Sequence, residues 1–132
     1  MTRERRERAI IVRSRRLFRR GVRPLKRDVR EQQFVPQREI RKILGPDGAV
    51  LGTAEYLDEV LDGVSRIYST AGVLTQESHF SGGELHGPYR SWWENGHPKE
   101  QGEYVRGKRC GRYVWHQEDG SVLKTHEYGA AL

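Results

Sequence analysis

One cysteine, Cys110, stands in 132 residues, so no intramolecular disulfide can form. A reducing compartment follows as the simple expectation, and the chain is expected to be cytoplasmic. Nowhere does an apolar run approach the roughly 18 residues that a membrane helix needs. The opening run, MTRERRERAIIVRSRR, loses its apolar character after Val12 and has no signal-peptide core. It is rich in arginine like a transit peptide, but Glu4, Glu7 and the scarcity of serine argue against that role. Hydrophobic residues make up only 35% of the chain, too few for a thick core and enough for a thin architecture that buries one layer. Motifs for chemistry are also missing. No C-x-x-C or H-x-x-x-H pairing offers a zinc site, and no P-loop, nucleophile elbow or dinucleotide fingerprint occurs. The expectation is a protein that is not an enzyme, with no catalytic residues, metal ligands or cofactor.

Charge is unevenly divided. Residues 1–43 hold 16 Lys/Arg against 5 Asp/Glu, whereas residues 44–132 hold 8 against 13. A basic arm, 1–33, therefore precedes a mildly acidic body, 34–132, and the two are read separately.

The body repeats. Gly48, Gly72, Gly96 and Gly120 are 24 residues apart, and Tyr56, Phe80, Tyr104 and Tyr128 keep the same interval. So do Gly63, Gly87 and Gly111, the rings Tyr68, Trp92 and His116, and the small residues Ala54, Ser78 and Gly102. A fixed period of this length marks a repeat architecture. Asp47-Gly48, Asn95-Gly96 and Asp119-Gly120 read as tight turns with positive φ. Alternating residues follow each, then a polar turn (Asp58–Asp62, Ser81–His86, Arg106–Cys110), then a return strand opened by the second glycine. Units run over 48–71, 72–95, 96–119 and a capping 120–132, with a degenerate unit at 34–47 whose Ile43 and Leu44 match Ile67 and Tyr68. A lone hairpin is marginal in water, so the units are expected to stack into one sheet, each small residue leaving room for the next unit's ring.

The stretch from Trp92 to Trp115, WWENGHPKEQGEYVRGKRCGRYVW, resembles MORN repeats, and especially the bacterial variant of YwqK-type antitoxins. The unit from Gly72 matches nearly as well; the first departs at Glu59, where Gly83 and Gly107 stand in its equivalents. The resemblance covers about 44–132. It implies a mainly β fold of tandem hairpins in one elongated, curved antiparallel sheet, used as a binding scaffold. Members of that family are linked to protein partners, to phospholipids in some eukaryotic cases and to toxin neutralisation in some bacteria.

The arm does not share the period. Ile11, Phe18, Val22, Leu25 and Val29 form a helical stripe broken by Gly21 and Pro24, which predicts helices over about 3–19 and 24–32, although the run Ala9–Val12 also reads as a strand. Its arginines, among them Arg5, Arg6, Arg13, Arg15, Arg16, Arg19, Arg20 and Arg23, suit phosphate or carboxylate. Nucleic acid, an acidic protein surface or the chain's own body, and an anionic membrane are all open as partners for it.

Candidate contact residues on the body are aromatic. Trp93 falls in register with Ser69 and Gln117, which predicts an exposed ring, and Tyr89, Tyr113 and Trp115 are expected along the same face. Such bands mark partner sites, because Trp and Tyr dominate binding hot spots. The alternative is that a terminal element or the arm covers them. The body is thus expected to bind a protein partner and no small-molecule substrate.

Overall fold

Two kinds of turn alternate along the chain. The computed structural model describes residues 10–13 and 34–131. Nine strands follow in chain order: β1 (Ile10–Arg13), β2 (Arg38–Leu44), β3 (Val50–Leu57), β4 (Val60–Tyr68), β5 (Leu74–Ser81), β6 (Glu84–Trp92), β7 (Pro98–Val105), β8 (Lys108–His116) and β9 (Val122–Glu127). Their spatial order is their sequence order, and every neighbouring pair is antiparallel, a single open meander. No helix occurs among the described residues. It follows that none there is long and apolar enough to cross a membrane.

At one end of the sheet, the loops after β2, β4, β6 and β8 repeat one geometry. The amides of Gly48, Gly72, Gly96 and Gly120 donate to the carbonyls of Gly45, Ser69, Trp93 and Gln117, at 2.9–3.0 Å. Each of these glycines has φ between 81° and 90°. The preceding Asp47, Asn95 and Asp119 are not left-handed; their Oδ1 atoms instead accept the amides of Ala49, His97 and Ser121. The pattern is a three-residue loop whose glycine forms a bulge, and the ladder shifts register beside it each time. Ala71 has no acceptor, and Ser69 Oγ takes the Val73 amide in its place.

At the other end the turns have two residues with positive φ throughout: Asp58-Glu59, Gly82-Gly83 and Arg106-Gly107. Both angles positive is the primed turn that matches strand twist. These turns are tighter than the polar stretches expected from the sequence. Gly63, Gly87 and Gly111 therefore do not open the return strands. They sit inside them, beside a second register shift in each hairpin. In the first, Glu55 folds over Gly63 and accepts the Val64 amide at 2.6 Å. In the second, the residue matching Val64 is Pro88, which has no N–H; His79, in the place of Glu55, bonds the Pro88 carbonyl through Nδ1 at 3.0 Å. A carbonyl only accepts, so Nδ1 carries the proton.

Pairing assigns the faces, because opposed residues point the same way. Tyr56, Phe80 and Tyr104 share one side, here the tyrosine face, together with Ala54, Ser78, Tyr89, Gly102, Tyr113 and Trp115. The opposite, polar face carries a charged ladder in which Arg66 meets Glu77 at 2.8 Å. Burial is thin, as the composition predicts: Tyr113, Cys110, Ser78, Ser91 and Gly52 are the buried residues of the described chain. The small residues do make room for rings, but within their own hairpin. Ser78 opposes Tyr89, and a Cβ on Gly102 would overlap the Tyr113 ring. Tyr68, Trp92 and His116 lie beyond the loop bulges, half-buried and opposed by Leu74, Pro98 and Val122. Cys110 lies within β8, not in a turn.

The arm is corrected where it is described. Ile10–Arg13 is a strand, not part of a helix over 3–19; it pairs with β2, Ile11 opposite Ile43 and Arg13 opposite Arg41. Its apolar, β-branched run suits an extended chain, the alternative the sequence also allowed. The degenerate unit thus takes its second strand from residues 10–13, and residues 34–37 form none. The helix expected over 24–32 lies outside the described residues.

Candidate binding face

The tyrosine face is densest between β6 and β9. Tyr113 is fully buried there, its ring lying over the Gly102 backbone. Around it Tyr104 and Tyr128 stand edge-on, at 6.2 Å and 5.9 Å between centroids, and Trp115 is tilted at 4.7 Å. Tyr89 continues the band 5.6 Å from Tyr104. Edge-to-face packing of this kind adds to simple burial. The Arg109 guanidinium lies over the group, 4.8 Å from the Tyr113 centroid and 5.8–5.9 Å from Tyr104, Trp115 and Tyr128. Glu100 Oε1 accepts from Trp115 Nε1 at 3.2 Å and from Arg109 Nη2 at 3.4 Å.

Burial pushes the Tyr113 phenol far above its ordinary pKa, and Tyr104 and Glu100 push it the same way; Arg109 opposes them. These groups crowd the hydroxyl, yet none is aligned to bond it. Tyr89 is raised too, first by burial and then by the Glu100 charge. Its hydroxyl donates to Gln76 Oε1 at 3.2 Å.

Of the contact residues expected from sequence, Tyr89, Trp93 and Trp115 are half-buried; Tyr89 and Trp93 line one groove, and Trp115 bonds Glu100 of its wall. Tyr113 is not a contact residue. Gly102 leaves a ring-sized space opposite it, and the ring fills that space completely. Trp93 is less exposed than its register suggests, because its Nε1 donates to the His116 carbonyl at 3.3 Å, and Lys99 Nζ lies 4.5 Å from its ring centroid. Arg13 is in β1; Arg5, Arg6, Arg15, Arg16, Arg19, Arg20 and Arg23 lie outside the described residues.

Sequence reasoning missed Gln76, Ser91, Lys99, Glu100 and Arg109. One signal was available. Residues 67, 91 and 115 share the 24-residue register and read Ile, Ser, Trp, so a serine stands where its equivalents are bulky. Among the described residues no group of three His, Cys, Asp or Glu is placed to hold a metal.

Residues 85–106 match the sequence model of the MORN repeat variant. The matched span is the return strand β6 with the outgoing strand β7, and the structure repeats that strand–loop–strand element one period earlier and one later. No curated protein and no solved structure matches the chain. The matched span contains Tyr89, Trp93, Glu100 and Tyr104, whereas Arg109, Tyr113, Trp115 and Tyr128 lie beyond it.

Proposed function

We propose that this chain is a non-catalytic binding scaffold whose tyrosine face engages a protein partner. The observation that carries the reading is the band of part-exposed rings, Tyr89 and Trp115 held by the strand ladder and Trp93 and Tyr128 by backbone bonds to His97 and Gly111. Ordered aromatic surface loses little entropy on binding and supplies large contact area. The finer reading places the chain with the bacterial variant that YwqK-type antitoxins represent, acting in the cytoplasm, its partner a protein that it neutralises. The full chain, used as bait in native extract with crosslinking and mass spectrometry, should retain a defined partner. Trp93→Ala with Trp115→Ala should release it. A partner set unchanged by the double substitution would remove the face from the account.

The surplus of basic residues in 1–43 favours a second reading, in which the arginines contact nucleic acid. Affinity would then fall by roughly a thousandfold or more between 50 and 200 mM salt if six or more phosphates are neutralised. A flat salt response excludes it.

A further inference from the structure

Ile67, Gln76, Ser91, Glu100 and Trp115 stand in one row across the tyrosine face, each opposite the next. Ser91 occupies the position that isoleucine holds one period earlier and tryptophan one period later. The missing bulk leaves a notch of about 300 Å³, lined among others by Gln76, Tyr89, Ser91, Trp93, Lys99 and Glu100. Ser91 is 6% exposed, and its buried Oγ has no hydrogen-bond partner. A buried hydroxyl without a partner is costly, and a ligand group that bonds it recovers that cost.

The chemistry of the walls selects the sign of the occupant. Gln76 Oε1 takes one hydrogen bond, from Tyr89, and keeps a second lone pair. Glu100 Oε2 accepts nothing among the described residues, since both bonds to this carboxylate go to Oε1. Ser91 Oγ is a further acceptor. Glu94 stands on the same rim as Lys99, and Glu100, already paired with Arg109 through Oε1, keeps Oε2 for a second cationic donor. The rings of this face, moreover, already hold cations of the chain: Arg41 lies 3.9 Å from the Tyr56 centroid, Arg109 4.8 Å from Tyr113, and Lys99 4.5 Å from Trp93. Ring faces attract cations through their quadrupole, and a guanidinium also stacks flat on them.

We propose that the Ser91 notch is a receptor for an arginine side chain presented by a protein partner. The guanidinium lies between the Tyr89 and Trp93 rings, donates to Glu100 Oε2, Gln76 Oε1 and Ser91 Oγ, and takes over the ring on which Lys99 lies. This rests on the tyrosine face being the protein-binding surface, and it names the group that the surface reads.

The test uses the isotope-labelled full chain and a capped peptide alternating Gly and Arg, with a Gly/Gln peptide of equal length as control. The arginine peptide should shift the Trp93 indole N–H and the Ser91 and Glu100 amides saturably, and the glutamine peptide should bind at least about tenfold more weakly, a difference of about 1.4 kcal/mol. Glu100→Gln should lower affinity for the arginine peptide by a similar factor, and Lys99→Ala should raise it, because the competing ammonium is gone. Ser91→Trp restores the bulk of the register and should abolish binding. If that variant does not fold, Lys99→Ala decides. Absence of saturable shifts at millimolar peptide, equal binding of both peptides, or Lys99→Ala weakening the complex would overturn the proposal. So would an oligonucleotide that moves these signals when the arginine peptide does not. If the peptide fails while Trp93→Ala with Trp115→Ala still releases the native partner, the notch is wrong and the face stands.

Discussion

The first hairpin, β3–β4, and the third, β7–β8, occupy the same positions in the repeat but are filled differently. In the third, glycine lies under a fully buried tyrosine that gathers Tyr104, Trp115, Tyr128 and Arg109 about it. In the first, the equivalent pair is Ala54 with Ser65, so no ring of its own hairpin stands at that position, and Ile43 and Ile67 are exposed. There the ring Tyr56 is held by Arg41, which is itself bound by Glu39 and Glu59. The backbone period is thus indifferent to how the layer is filled. Glycine turns and bulges set the ladder, and local side chains decide whether a unit is tied by apolar packing or by ion pairs.

Gly102→Val puts side-chain atoms where the Tyr113 ring lies, with only backbone beneath to yield. A loss of about 3 kcal/mol or more is expected in denaturant unfolding, near the upper end for overpacked sites. Ala54→Val, at the equivalent position in the first hairpin, should cost less than half as much. Equal costs would erase the distinction between the two hairpins.

Tyr113→Ala should cost about 3–5 kcal/mol through the cavity it leaves, whereas Tyr113→Phe should be neutral or slightly stabilising, because the hydroxyl it removes is buried and unpaired. The same burial has a pH signature. The folded-state pKa of Tyr113 is raised, so its contribution to stability is fully present below the unfolded value near 10 and is lost as pH rises above it. In an alkaline titration followed by tyrosinate absorbance, Tyr113→Phe should remove the late component that appears together with unfolding. An unchanged titration curve would mean that Tyr113 is solvated.

The smallest effect belongs to the first hairpin. Glu59 adopts φ of 68° where the other two-residue turns have glycine. Glu59→Gly relieves that conformation, worth about 1–2 kcal/mol, but adds unfolded-chain entropy that costs about 0.4–1 kcal/mol and removes the contact with Arg41. The net change should stay within about 0.5 kcal/mol of zero. Gly83→Glu, which adds the strain without a built partner, should destabilise clearly by thermal melting.

The hairpin architecture was legible because glycine and tyrosine recur at a fixed interval, and only a periodic ladder gives such spacing meaning. Face assignment was less legible. Two bulges per hairpin change the alternation, and neither Gly63 nor Gly87 shows from sequence whether it opens a strand or kinks one. That shift is why Tyr113 reads as an exposed band member although it is the most buried ring. The notch at Ser91 was present in the register as a substitution of serine for Ile and Trp, but its walls, Gln76 and Glu100, come from the neighbouring strands and needed the pairing. In the arm, an apolar run of four residues suits helix or strand alike, and only its pairing with β2 decides between them.

The claim on which all of this depends is that a ring of the return strand lies flat on a residue without a side chain in the outgoing strand. Proton NMR of the full chain reads it directly. Ring current from Tyr113 should carry the Gly102 α-protons well upfield of their random-coil position, with cross-peaks to the Tyr113 ring protons, and Tyr113→Ala should return them. Gly102 α-protons at ordinary strand positions, with no cross-peak to Tyr113, would contradict the account.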